Sequence, residues 1–285
     1  MADDSDHSSS VWQVHIPQWG FSFPSIFHLL LALSALHLGS QQPERREQSK
    51  LEATGHFNSG IQSVNSILPQ LDSELCQIVY LSAVMICFVY FGQGPQPGEY
   101  LVFSDSGRSE FLVLMRGVKS ILSSKQEQIF TGVLTPRGED RPEVVSEPLK
   151  LELSEHLARL DEIRQLFQIQ EVDLERQLYT PAINNLSSIF EEVYKARTLG
   201  KDGVTLMPLV IGWIYCLKNP FIGLLEAKDP SALVILAYWC ILLKYMGTSW
   251  LMAGWDKHVL SGVLTSLKED DYQWIAWPVK VIHES

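Results

Sequence analysis

Apolar residues return every three or four positions through most of this chain, the period of helices buried on one face. The first ten residues are polar and Val11–Phe23 is aromatic without a period, so residues 1–23 read as a flexible segment ahead of the fold. Pro24 and Ser25 open a helix that Gly39 closes. Phe57, Ile61, Val64 and Ile67 or Leu68 line one face of the next helix, which Pro69 breaks. Asp72 is a suitable N-cap for an apolar helix over Ser73–Phe91. The glycines and prolines of 92–98 make a loop, and Ser109 caps a helix with Phe111, Leu114 or Met115, Val118 and Ile121 or Leu122 inward.

Gly132–Pro148 holds Pro136, Gly138, Pro142 and Pro148 among charges and predicts a long solvated loop between two helical halves. After it, Leu153, Leu157, Leu160, Ile163 and Leu166 or Phe167 form a stripe. Pro181 sits in the first turn of another helix, with Ile183, Leu186, Ile189 or Phe190 and Val193 inward. Thr205–Leu217 and Pro230–Tyr245 read as buried helices, the second capped by Asp229. Ser249–Leu267 carries Leu251, Trp255, His258 or Val259 and Val263 on one stripe, and Trp274–Trp277 ends against Pro278. Strand-like alternation is confined to Tyr100–Phe103. The pattern predicts an all-α fold of about ten helices: a single helical domain over residues 24–285, with an apolar C-terminal core or pocket and a loop break at 132–148.

Composition narrows the function. Lys and Arg number 22 against 33 Asp and Glu, a net charge of −11. Phosphate contact needs clustered basic residues, and the densest spot, Arg45-Arg46, is flanked by Glu44 and Glu47, so no direct nucleic-acid contact is expected. A hydrophobic fraction of 46% with 19% charged excludes a disordered chain. Cys76, Cys87, Cys216 and Cys240 form no Cys-x-x-Cys pair, so neither a metal site nor a cofactor is expected. Thiols in apolar runs suit a reducing compartment, cytoplasm or nucleus. The acidic start, with Asp3, Asp4 and Asp6, is unlike a signal peptide, which leaves the Asn185-Leu186-Ser187 sequon unused. Ile26–Leu38, Leu75–Phe91 and Ala232–Leu243 are apolar runs shorter than the roughly 20 residues of a spanning helix. They predict core helices and no membrane span.

Few residues carry recognisable chemistry. Asp256 and His258, within Gly254-Trp255-Asp256-Lys257-His258, are the candidate acid–base pair; burial against tryptophan would raise the Asp pKa and let it act as an acid. His28 and His37 are nine apart, on opposite faces of one helix, and cannot share a metal. His56 has no nucleophile motif beside it, and Glu269-Asp270-Asp271 lacks the opposing carboxylates of a magnesium–diphosphate site. Trp213, Phe221, Tyr238, Trp239, Trp250 and Trp255 crowd the last 75 residues; such walls suit either a core or a hydrophobic ligand. Arg116 is a cation within an apolar helix, placed for a buried carboxylate or the polar end of a ligand.

Several stretches, in order, resemble the effector domain of fungal-specific transcription factors. They are Phe27–Leu38, His56–Ile61, Met115–Ile121, Pro220-Phe221, Asp229–Leu233, Tyr238-Trp239, Gly254-Trp255 and Trp277-Pro278. The set is most similar to the sterol-uptake-control type of zinc binuclear-cluster regulators and covers roughly residues 24–283. That resemblance implies an all-helical, dimerising domain that holds a sterol- or terpenoid-like molecule in an apolar pocket near its C-terminal helices. The six-cysteine cluster and basic segment of those regulators have no counterpart among these residues. The resemblance therefore predicts regulation through a hydrophobic small molecule, a homodimer or a partner transcription factor, in a fungal secondary-metabolite setting. The alternative is a cyclase or pericyclase built on the same shell, with His258 and Asp256 as its catalytic residues.

Overall fold

The computed structural model describes residues 11–70, 73–135, 144–170 and 173–284. Its architecture is all-α, as the periodicity predicts. Twelve α-helices are seen among the described residues: α1 (Ile16–Ser22), α2 (Pro24–Gln41), α3 (Arg46–Ile67), α4 (Ser73–Gly92), α5 (Glu110–Ile129), α6 (Glu147–Gln170), α7 (Asp173–Thr198), α8 (Met207–Cys216), α9 (Asn219–Glu226), α10 (Pro230–Met246), α11 (Trp255–Ser266) and α12 (Tyr272–His283). The helices group into two compact units. The first takes in the described residues of Met1–Gln93 and Val113–Asp140, the second those of Gly94–Leu112 and Arg141–Ser285.

The first unit is built on the hairpin of α2 and α3. Pro24 stands in the first turn of α2, where its missing N–H removes no helix bond. Gly39, expected to close that helix, lies inside it. A Cβ there would stand 2.9 Å from Ser49 Cβ, so the glycine serves close approach instead. Gly60 does the same from α3, where a Cβ would meet Leu29 at 2.9 Å. The buried face of α3 is accordingly Ser49, Ala53, Gly60 and Val64. The larger Phe57 and Ile61 flank it half-buried, which corrects the stripe expected from apolar spacing. Val11–Phe23, read as irregular, is largely helical: a π-turn over Val11–His15 leads into α1, and Trp12 packs on Phe88 with ring centroids 5.3 Å apart.

Helix α4 matches the expected bounds; its N-cap Asp72 lies outside the described residues. The stretch Leu75–Gly92 within it is long and apolar enough to cross a membrane, and 61% of it is buried in the fold. Helices α8 and α9, with the 3-10 turn before them, are also apolar enough together but bend by 93° between them.

Between α4 and α5 the chain makes turns. Tyr100–Phe103, the one strand candidate, forms no strand. Leu101 has φ of 66° and sits in a γ-turn closed by Val102 N–H on the Tyr100 carbonyl at 2.8 Å. Of the Gly132–Pro148 linker, residues 136–143 lie outside the described set; Gly132–Leu134 is a 3-10 turn and α6 already starts at Glu147.

In the second unit α10 is buried along its whole length. Asp229 caps it as expected: its Oδ1 accepts from Ala232 N–H and from the Tyr179 hydroxyl, each at 2.9 Å. Two prolines differ from expectation. Pro181 is inside α7, eight residues past its start, and Pro278 is inside α12. A proline in a helix leaves the carbonyl four residues earlier without its bond. For Pro278 that carbonyl is Trp274, and the Tyr238 hydroxyl donates to it at 3.3 Å. The helix at Ser249–Leu267 is shorter than expected, because turns carry the chain to Gly254, whose φ of 81° precedes α11.

Candidate functional site

The densest set of polar contacts in the second unit joins α6, α7, α10 and α12 around His156. This side chain is 1% exposed and lies on the stripe Leu153, His156, Leu160, Ile163, Phe167 of α6. The indole N–H of Trp277 meets its Nδ1 at 3.0 Å. An indole only donates, so Nδ1 accepts and the ring proton of the neutral imidazole lies on Nε2. Nε2 stands 3.2 Å from the Tyr245 hydroxyl, which therefore accepts from it. Tyr245 in turn donates to Glu152 Oε1 at 2.7 Å and accepts from the Tyr194 hydroxyl at 2.7 Å. Every donor and acceptor in this chain has a partner, the condition under which a buried polar network is stable.

Arg197 closes the set. Its Nη1 donates to Glu152 Oε2 at 3.4 Å, and its guanidinium lies 3.9 Å from the Tyr245 ring centroid and 4.6 Å from that of Tyr194. The His156 ring and the Tyr245 and Tyr194 hydroxyls gathered around the carboxylate, with the Arg197 charge, bring the Glu152 pKa down to about 2 against burial. Burial chiefly pushes both tyrosine hydroxyls up, helped at Tyr194 by Tyr245 and at both by the neighbouring carboxylate, so they act as neutral donors.

A carboxylate held this low stabilises the folded state above its ordinary value of 4.5, and that contribution fades as pH falls towards about 2. Glu152 is 39% exposed, so solvent screening limits the loss to about 1 kcal/mol or less. Glu152→Gln is expected to flatten the decline of unfolding free energy between pH 5 and pH 2, read by urea melts at each pH.

Five of the six aromatic residues singled out in the sequence are buried. Trp213 and Trp239 stack with centroids 5.8 Å apart, and Phe221 meets Trp213 edge-on. Trp213 N–H donates to the Ala182 carbonyl and Trp239 N–H to that of Val210. Trp255 and Tyr238 are buried as well, while Trp250 is half-buried. Arg116 belongs to the first unit, half-buried on α5.

Asp256 and His258 do not form a pair. Two positions apart on a helix, they point to different sides. His258 Nε2 lies 2.9 Å from the Glu99 carbonyl, and its ring stacks on Tyr100 at 5.1 Å. Asp256 is buried on the other side, where its charge, after burial itself, helps push the Cys240 thiol up. The Asn185 sequon lies within α7, its Ser187 hydroxyl bonded to the Ile183 carbonyl.

Sequence reasoning passed over the whole His156 network. One signal was available: a histidine on an otherwise apolar stripe, which burial obliges to find partners.

Residues 3–154 match a family described as "Fungal specific transcription factor domain", more than half of the chain. The chain belongs to that family. The match covers the first unit and reaches Glu152, but stops short of His156, Tyr194 and Tyr245. A "Zn(2)-C6 fungal-type transcription factor" of Gibberella zeae is 24% identical over 310 aligned positions, which cover 98% of this chain and 58% of that relative. The chain thus spans rather more than half of the relative's length. No solved structure matches. Membership of the fungal transcription factor family is what supports a regulatory reading.

Proposed function

We propose that this fungal transcription factor domain regulates through contact with a partner regulator. The observation that carries the reading is a group of exposed large apolar side chains close together in sequence. Trp12, Val14, Phe21 and Phe27 are all exposed, Phe21 at 87%, and all fall within sixteen residues at the start of the first unit. Scattered exposed apolar residues are ordinary, but a local concentration marks a contact surface. Trp213, Phe221, Trp239 and Trp255 of the second unit pack into its interior, which favours a protein partner over a pocket-bound sterol- or terpenoid-like molecule.

A second reading, an enzyme or carrier for a hydrophobic intermediate, draws on one observation. The half-exposed Glu152 carboxylate sits against Tyr194 and Tyr245, a polar group beside an aromatic wall.

Deletion of the gene, with neighbouring transcripts and metabolites read together, separates the two. A fall in transcripts along with the products supports regulation, and a secondary-metabolite neighbourhood would show in the products lost. Steady transcripts with one accumulating intermediate support the enzyme. Within the first reading, Phe21→Ser is expected to weaken partner capture several-fold while helix content stays unchanged. Light scattering of the unmutated chain reports whether that partner is a second copy.

A further inference from the structure

We propose that His28 and His56 form a two-imidazole site for a monovalent d10 ion of the copper(I) class. The two rings come from α2 and α3 of the first unit, and both are half-buried. Their Nδ1 atoms are 3.1 Å apart and their ring centroids 5.4 Å. The centroid separation equals the nitrogen separation plus one ring radius on either side. Both nitrogens therefore lie on the line between the centroids, and the rings meet edge to edge. Each Nδ1 lone pair is aimed at the other nitrogen, and one proton between them satisfies both.

A linear pair of nitrogen donors around one proton is also the donor set of a two-coordinate ion. A d10 cation takes the place of the shared proton on the same axis, and that proton leaves to solvent. Imidazole is a ligand for copper. Zinc takes four ligands, and among the described residues no group of three or more His, Cys, Asp or Glu could hold an ion. Two imidazoles complete the shell of an ion content with two donors, whereas zinc would have to take its further ligands from water.

The backbone sets the spacing. His28 is next to Leu29, where α2 and α3 touch through a small residue, Gly60, and His56 is one turn before Gly60 on α3. The nitrogens must part by a fraction of an ångström to admit the ion, a shift that rotation of two half-buried rings supplies. Phe27 stands edge-on to His28, centroids 5.8 Å apart.

The test titrates the full chain with copper(I), anaerobically, against bicinchoninate as competing chelator. All samples carry Cys216→Ser, because Cys216 is the exposed thiol among the described residues. One equivalent is expected per chain, with X-ray absorption showing two nitrogen neighbours. His28→Leu and His56→Leu are each expected to weaken binding at least 100-fold, and His37→Leu to leave it unchanged. Copper held through sulfur, an affinity unmoved by His28→Leu or His56→Leu, or displacement by equimolar zinc(II) overturns the site. The chain with both histidines intact gives a readout independent of those variants: the nitrogen NMR signals of both imidazoles move together up to one equivalent. Signals that stay put overturn the proposal.

Discussion

Gly262→Ala is expected to destabilise the second unit by about 2–4 kcal/mol, the sum of overpacking and of ring contacts given up. On helix propensity alone the same change would stabilise α11 by about 1 kcal/mol. The sign is reversed by one side chain. A Cβ on Gly262 would stand 2.3 Å from Cδ1 and 2.5 Å from Cε1 of Tyr100. That ring cannot simply swing aside, because it is stacked on Phe103 at 4.9 Å and on His258 at 5.1 Å. Its backbone is held too. Tyr100 N–H donates to the Phe103 carbonyl, and the Ser109 hydroxyl ties the Leu101 carbonyl at 2.5 Å, fixing the γ-turn. A double-mutant cycle isolates the clash. In a Tyr100→Ala background Gly262→Ala is expected to become neutral or stabilising in urea melts; an equal loss in both backgrounds would refute this account.

The same loop shows what a sequence can and cannot disclose. Its glycines and prolines announce a loop at 92–98, and Gly94 and Gly98 do take positive φ. Nothing in Tyr100–Phe103 announces that Leu101 will do so as well. That conformation is imposed by tertiary bonds from Ser109 and by the seat of Tyr100 on α11. Helices were legible wherever a stripe of large apolar residues faces the core, as with Ile183, Leu186, Phe190 and Val193, all fully buried. They were misread where small residues make the contact, as on α3, because Gly60 and Ala53 carry no apolar signal. Prolines misled for a different reason. Pro181 and Pro278 look like boundaries on local rules, yet the helix continues where packing outweighs one lost bond, and at Trp274 a tyrosine replaces that bond. The Glu152–His156–Tyr245–Trp277 set was invisible for want of a motif: its members are spread over some 125 residues and meet only in the fold.

Trp239→Ala carries the largest expected loss, about 3–5 kcal/mol for truncating a buried tryptophan, with the stacked partner adding about 1 kcal/mol. Trp239 has no exposed surface, stacks on Trp213 and donates to the Val210 carbonyl from α10 to α8. A loss of this size is a large part of the stability of an ordinary domain. The second unit is expected to melt at least 10 °C lower, or not to fold, while Trp239→Phe keeps most of the packing and loses about half as much. The comparison also decides what the aromatic residues are for. Side chains that line a ligand pocket already face a void, so truncating one lowers affinity for the ligand and barely moves the melting temperature. Side chains that fill a core lower the melting temperature whatever is added. Trp213→Ala is the matched measurement, since its indole bonds back to Ala182 on α7 and its loss removes the same stack from the other side. Equal, large and non-additive losses for the two tryptophans identify the stack as the core of the second unit. Small losses in both, with a sterol-like compound raising the melting temperature of the unmutated chain alone, would return these residues to the ligand.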